Sequence, residues 1–249
     1  MKKLLLVLVN FALLSTVFSQ GGIFLGPRFG AGYNSLHNAN WVNPEGSDNM
    51  VSEEGELGLL IGAELGYHFW NTDFAIKSGF FSKQYKYILN VDGTATGIER
   101  GSYSMSVTEI PLLLHMNFVK KSSSNRQRGG VYIEAGAQLD LINGMTIRQS
   151  NSLNITDFKD FDVTEKYISS GLSAIFGFGF VQLQTDRVQI SHTLRATYGL
   201  QDILLDKDYS FFQPVGNFRG WSDEYKPTRM YSISYMFTVN FRIYNRKKH

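Results

Sequence analysis

The sequence predicts an all-β chain: an eight-stranded, antiparallel, up-and-down transmembrane β-barrel. Three observations predict it. Eight segments alternate apolar and polar residues with period 2. The connections between these segments alternate long and short. The polar face is dominated by Gly, Ser, Thr and Asn, with a few charges of both signs, which suits a narrow, filled interior.

The chain opens with Lys2 and Lys3, the apolar run LLLVLVNFALL and small residues up to Ser19. A basic start, a short apolar stretch and small residues near its end describe a secretory signal peptide over residues 1–19. An anchor helix is the competing reading, but Asn10 interrupts the run and Ser-Gln-Gly-Gly follows it at once. Residues 20–249 then form a single barrel domain. No later stretch approaches the roughly 18 apolar residues of a spanning helix, so a membrane-spanning chain must close into a barrel. The composition agrees, with 19 Phe and 13 Tyr against only 5 Pro. Cysteine is absent, which removes disulfides, thiolate metal sites and thiol catalysis. A formal charge of +2 gives no pull toward nucleic acid.

The first strand, 23–35, sets Ile23, Leu25, Phe29, Ala31 and Tyr33 against Arg28, Gly30, Gly32 and Asn34. The second, 56–70, carries Gly58, Gly62 and Gly66 at helical small-residue spacing. A helix there would bury Glu64 and His68 on its apolar stripe. As a strand, every odd position from Leu57 to Phe69 is apolar and the even ones are mostly small or polar. The third, 73–87, sets Phe74, Ile76 and Phe80 against Lys77, Gly79 and Lys83. The fourth ends at 109–118, with Ile110 to Phe118 opposing Glu109, His115 and Asn117. Its upstream apolar residues, Tyr103, Met105 and Val107, have the opposite parity, and a β-bulge near Thr108–Glu109 would reconcile them. The fifth (130–142), sixth (168–183), seventh (187–200) and eighth (230–242) alternate likewise.

Long connections are expected at about 36–55, 90–102, 143–167 and 201–228, tight ones at Asn71-Thr72 and Thr185-Asp186, and an intermediate basic one at 119–129. Long extracellular loops and short periplasmic turns are the pattern of an outer-membrane barrel, with both chain ends on the periplasmic side. A soluble lipocalin-like barrel would share the alternation, but its water-facing side would be dense in Lys and Glu. Aromatic residues also gather at strand ends: Tyr67, Phe69, Trp70, Phe74 and Phe118 at one rim, Tyr33 and Tyr198 at the other.

The segments GPRFGAGYNS, GAELGYHF, AIKSGFFSKQY, TEIPLLLHMNF, YIEAGAQLD and the terminal SYMFTVNFRIY, in that order, resemble the PorT-type outer-membrane β-barrel family. The most specific piece is Glu109–Leu114, followed by the glycine-containing strand Tyr132–Leu139. The resemblance implies a small exported barrel of the Gram-negative cell outer membrane. It implies an accessory role such as that of the founding member, which is tied to a secretion system exporting gliding and adhesion proteins. The C-terminus departs from the usual barrel ending on an aromatic residue, because Asn-Arg-Lys-Lys-His follows Tyr244.

Arg28, Glu64, His68, Lys77, Glu109, His115, Glu134, Asp140, Arg195 and Arg242 should point into the barrel. There they should pair as a structural polar network, since a buried charge is costly unless paired. A possible recognition surface lies in the loops at Trp41, Tyr209, Phe211, Phe212, Phe218 and Trp221. No catalytic, cofactor-binding or metal-ligating residue is assigned. His192 falls on the outward face, but the His-x-Ser pair of a lipid-modifying barrel enzyme is missing because Leu194 occupies the second position. Asp202, Asp206 and Asp208 do not match a calcium loop. The expected partners are outer-membrane lipid and an envelope protein. The expected function is non-enzymatic: anchoring or assisting an envelope process such as protein secretion. The alternatives are a lipid-modifying barrel enzyme and a small channel or receptor.

Overall fold

A computed structural model describes residues 22–38, 50–69, 73–93, 97–118, 130–150, 159–185, 187–205 and 227–244. The strands are β1 (Gly22–Asn38), β2 (Met50–His68), β3 (Phe74–Gly93), β4 (Gly97–Phe118), β5 (Gly130–Ser150), β6 (Lys159–Asp162), β7 (Ser170–Gln184), β8 (Val188–Gly199) and β9 (Thr228–Tyr244). Every pairing is antiparallel. The order β4-β3-β2-β1-β9-β8-β7-β5 closes through β4–β5, so eight strands form an up-and-down barrel. Short β6 lies outside that ring, paired to the far end of β5. Among the described residues no helix is long and apolar enough to cross a membrane.

Period 2 produces this wall directly. On β7 exposed Leu172, Ala174, Phe176, Phe178 and Phe180 alternate with buried Gly171, Ser173, Ile175, Gly177 and Gly179. The exposed face is apolar all round, with Leu59 at 76% and Phe80 at 60% accessibility. Large apolar side chains open to the surroundings on every strand match a hydrocarbon environment, not water.

The structure departs from several sequence expectations. The connection expected at 90–102 is mostly strand, because β3 and β4 stay paired up to Gly93 opposite Gly97. The connection expected at 143–167 is likewise shortened. It contains the end of β5, β6 and a one-turn 3-10 helix at Thr164–Lys166. The bulge expected near Thr108–Glu109 does not occur, since β3 and β4 keep a single register on both sides of it. The odd residues of β4 face inward along its length. Tyr103, Met105 and Val107 are as buried as Glu109 and His115. The irregularity lies on β5, where Ser106 pairs with Gly144 and Val107 with Ile142, leaving Asn143 as the extra residue. The physical reason is that the upper lumen is apolar, so an apolar residue there is not a lipid-facing one.

That apolar upper lumen is the main hydrophobic core. It packs Leu36, Tyr85, Tyr103, Met105, Val107, Ile142, Met145, Tyr167, Ile203, Leu204 and Met230 at the end bearing the long connections. Two loop segments seal it. Tyr167 bridges to Leu204, Ile168 N–H donates to Ile203 O at 2.9 Å, and Leu205 N–H donates to Lys166 O at 2.9 Å. Asp202 ties the seal to β9 by accepting from Thr228 N–H at 3.1 Å.

A candidate functional site in the lumen

Below the apolar core the lumen is polar, and glycines make room for it. A Cβ on Gly66 would fall onto the Phe24 ring, and one on Gly177 would meet Glu134 Cγ at 2.7 Å. The glycine-rich inner face therefore exists because large side chains from the paired neighbouring strands occupy that space.

Two ionic layers fill it. In the lower layer Arg28 Nη1 donates to Glu64 Oε2 at 2.5 Å, and Arg28 Nη2 donates to Thr193 Oγ1 at 2.9 Å. Lys77 Nζ lies 3.3 Å from Glu64 Oε1, which also accepts from Asn240 Nδ2 at 3.0 Å. Arg195 donates to Glu134 Oε1 from Nε at 2.9 Å and from Nη2 at 2.6 Å, and Arg28 Nη2 stands 3.6 Å from the same oxygen. In the upper layer Lys83 Nζ lies 3.3 Å from Glu109 Oε1 and donates to Ser232 Oγ at 2.7 Å. Tyr85 also donates to Glu109 Oε1, at 3.1 Å. Asp140 accepts from Gln138 Nε2 at 2.5 Å and from the Ser173 hydroxyl. Leu60, Phe81 and Met236 pack as a buried apolar cluster on the same inward face.

The formal charges cancel: Arg28, Lys77, Lys83 and Arg195 against Glu64, Glu109, Glu134 and Asp140. Each of these side chains is buried. Burying such groups singly would cost several kcal/mol each; seven of the eight offset that cost by ion pairing, and Asp140 by its bonds from Gln138 and Ser173.

At the turn end His115 Nε2 donates to Asn117 Oδ1 at 3.0 Å, and Asn117 Nδ2 donates to His68 Nε2 at 3.2 Å. His115 Nδ1 stands 4.0 Å from Glu134 Oε2. Arg242 is half-buried at the same end and makes none of the ion pairs named above. Of the ten inward residues named from the sequence, Arg28, Glu64, Lys77, Glu134, Arg195 and His115 therefore meet in one layer. Glu109 and Asp140 lie higher, and His68 and Arg242 near the rim. Sequence reasoning did not include Lys83, Tyr85, Asn117, Tyr132, Thr193 or Asn240 in this set. Lys83 shares the parity of Lys77 and Tyr132 that of Glu134, so parity was the available signal. Tyr67, expected to face lipid, is only 7% exposed and packs edge-on against Phe69. Trp41, Trp70, Tyr209, Phe211, Phe212, Phe218 and Trp221 lie outside the described residues.

Chemically the lumen is filled. Most of its acids and bases are engaged with one another beneath an apolar seal, while Arg28 Nε, Glu134 Oε2 and Arg195 Nη1 have no hydrogen-bond partner among the described residues. Among the described residues no cluster of three or more His, Asp or Glu side chains is placed to hold a metal. Outside the wall, Asp162 accepts from the Thr164 N–H at 3.0 Å and from its hydroxyl at 2.6 Å. These bonds hold its carboxyl below the usual aspartate range.

A family model described as the outer membrane protein beta-barrel domain matches residues 18–205. No curated protein matches the chain. Among solved structures the chain is similar to the outer membrane protein OprG from Pseudomonas aeruginosa, with 11% identity and a TM-score of 0.47, covering 91% of this chain and 97% of that one. It is also similar to Neisserial surface protein A, with 12% identity and a TM-score of 0.42, covering 89% and 97%. The attachment invasion locus protein Ail of Yersinia pestis aligns at 10% identity and a TM-score of 0.33, covering 90% and 99%.

Proposed function

The chain belongs to the outer membrane protein beta-barrel domain family and is an integral outer-membrane protein, and from that membership we propose that it is a non-enzymatic, non-conducting barrel of the PorT-like type. It anchors or assists an envelope process such as protein secretion. Residues 1–19 act as its export signal and residues 20–249 as its single barrel domain. The observation that carries this reading is the filled lumen, where cancelling ion pairs lie beneath an apolar core of eleven buried residues. A lumen that transports nothing leaves the outer wall, the loops and the turns as the working surfaces. The order of the PorT-like segments, above all Glu109–Leu114, favours an accessory role in secretion over other envelope tasks.

Crosslinking in intact envelopes followed by affinity purification of the tagged full chain tests the proposal. An envelope protein recovered in stoichiometric amount, and lost when the loops are shortened, is the expected result. Recovery of the barrel alone under crosslinking that captures known envelope complexes would count against it.

A further inference from the structure

The outward face of β7, β8 and β9 is apolar from Leu172 to Phe180, from Leu194 to Leu200 and from Phe237 to Ile243, yet three polar side chains converge on it. His192 Nδ1 is 2.5 Å from the Tyr235 hydroxyl, and His192 Nε2 is 2.8 Å from Gln182 Oε1. The imidazole stacks on Phe180 at 4.6 Å between ring centroids and lies 5.3 Å from the Phe237 ring. None of these groups takes part in the lumen network.

A backbone irregularity builds this cluster. Val181 pairs with Ser191 and Leu183 with Ile190, so Gln182 is the inserted residue of a β-bulge. Bulges re-aim side chains beside functional sites. Here the bulge brings the Gln182 amide to the imidazole.

The hydrogen-bond roles follow from the acceptors. Gln182 Oε1 can only accept, so His192 Nε2 carries the proton, and Nδ1 accepts from the Tyr235 hydroxyl. Two capacities remain turned outward: both N–H groups of the Gln182 amide and the oxygen of Tyr235. In hydrocarbon an amide donor without an acceptor costs on the order of a few kcal/mol. The surroundings that satisfy it are an acceptor-rich group lying against the wall.

The height on the wall says which. About nine to eleven residues of tilted strand cross a bilayer, and the outward apolar run of β7 from Leu172 to Phe180 already has that length. Exposed Gln182 follows it toward the turn, at the glycerol level of that leaflet. An amide donor at that level matches the ester carbonyl of a glycerophospholipid.

We propose that Gln182, His192 and Tyr235 form a binding site for a glycerophospholipid of the leaflet at the turn end. Gln182 donates to an ester carbonyl, His192 and Tyr235 hold Gln182 in place, and Phe180 and Phe237 contact the acyl chains.

The test is native mass spectrometry of the full chain extracted from vesicles of phosphatidylethanolamine and phosphatidylglycerol. The wild type should retain one phospholipid. Gln182→Leu and Tyr235→Phe should each lower the retained fraction about fivefold, the loss of roughly one hydrogen bond. Leu194→Ala on the same wall should not. Heat-modifiable gel mobility reports folding of each variant, and Tyr235→Phe keeps the ring, so the barrel survives in that variant. Retention equal in wild type and the folded variants, or no retained lipid at all, would overturn the proposal. A photocrosslinking side chain at Ile190 in intact envelopes gives an independent reading. Labelled phospholipid supports the site, and exclusive labelling of a protein overturns it.

Discussion

Arg195 places two donors on one oxygen of Glu134, at 2.9 Å from Nε and 2.6 Å from Nη2, with both side chains buried. The pair joins β8 to β5 across β7, and Arg28 of β1 adds a contact at 3.6 Å to the same oxygen. One carboxylate thus ties together strands far apart in sequence. Replacing Glu134 by Leu leaves Arg195 and part of Arg28 buried without a counter-charge, which costs about 3–5 kcal/mol. The urea midpoint of the refolded barrel, followed by tryptophan fluorescence or gel shift, should fall accordingly. Arg195→Leu should cost less, because Glu134 keeps Arg28.

The glycine notches make a second prediction. A Cβ on Gly66 would overlap the Phe24 ring. Gly66→Ala should destabilise the barrel by about 1–3 kcal/mol through overpacking. The same substitution beside Phe24→Ala should cost markedly less than the two single losses added together. A double-mutant cycle measures that coupling, and strict additivity would show that the ring does not need the notch.

Met105 lies fully buried in the apolar seal of the lumen. Met105→Ala should lose about 2–5 kcal/mol by opening a cavity, although a lipid-facing methionine would lose far less. The measurement therefore also decides which way β4 presents its upper residues.

Much of the fold was legible because each strand shows period 2 and the connections differ in length. The orientation of upper β4 was not. Hydrophobicity marks a residue as avoiding water, but lipid and a packed lumen avoid it equally, so the parity of Tyr103, Met105 and Val107 reads as a bulge where there is an apolar lumen. The inward charges Arg28, Glu64 and Glu134 were legible by parity. Their partners were not, because pairing across a barrel depends on strand register and closure, as in the contact of Arg28 in β1 with Thr193 in β8. Gln182 was invisible for a related reason: its role depends on an inserted residue that only the β7–β8 register reveals.

Asp162 offers a pH-dependent check outside the wall. Two bonds from Thr164 hold its carboxyl low. A carboxyl held low in the folded state contributes stability above its unfolded value, and loses it as pH falls through the lower folded value. The NMR titration of Asp162 should have its midpoint below the ordinary value of about 3.9. Thr164→Ala should move the midpoint upward, toward that value, with the barrel intact.

In the function we propose, the filled lumen is a strut and not a passage, which leaves the outer surfaces as the working ones. Single-channel recording of the purified full chain in planar bilayers tests this most directly. Folded, heat-modifiable protein should give no stepwise conductance. Steady unitary conductance from that same preparation, abolished by heat unfolding, would contradict it.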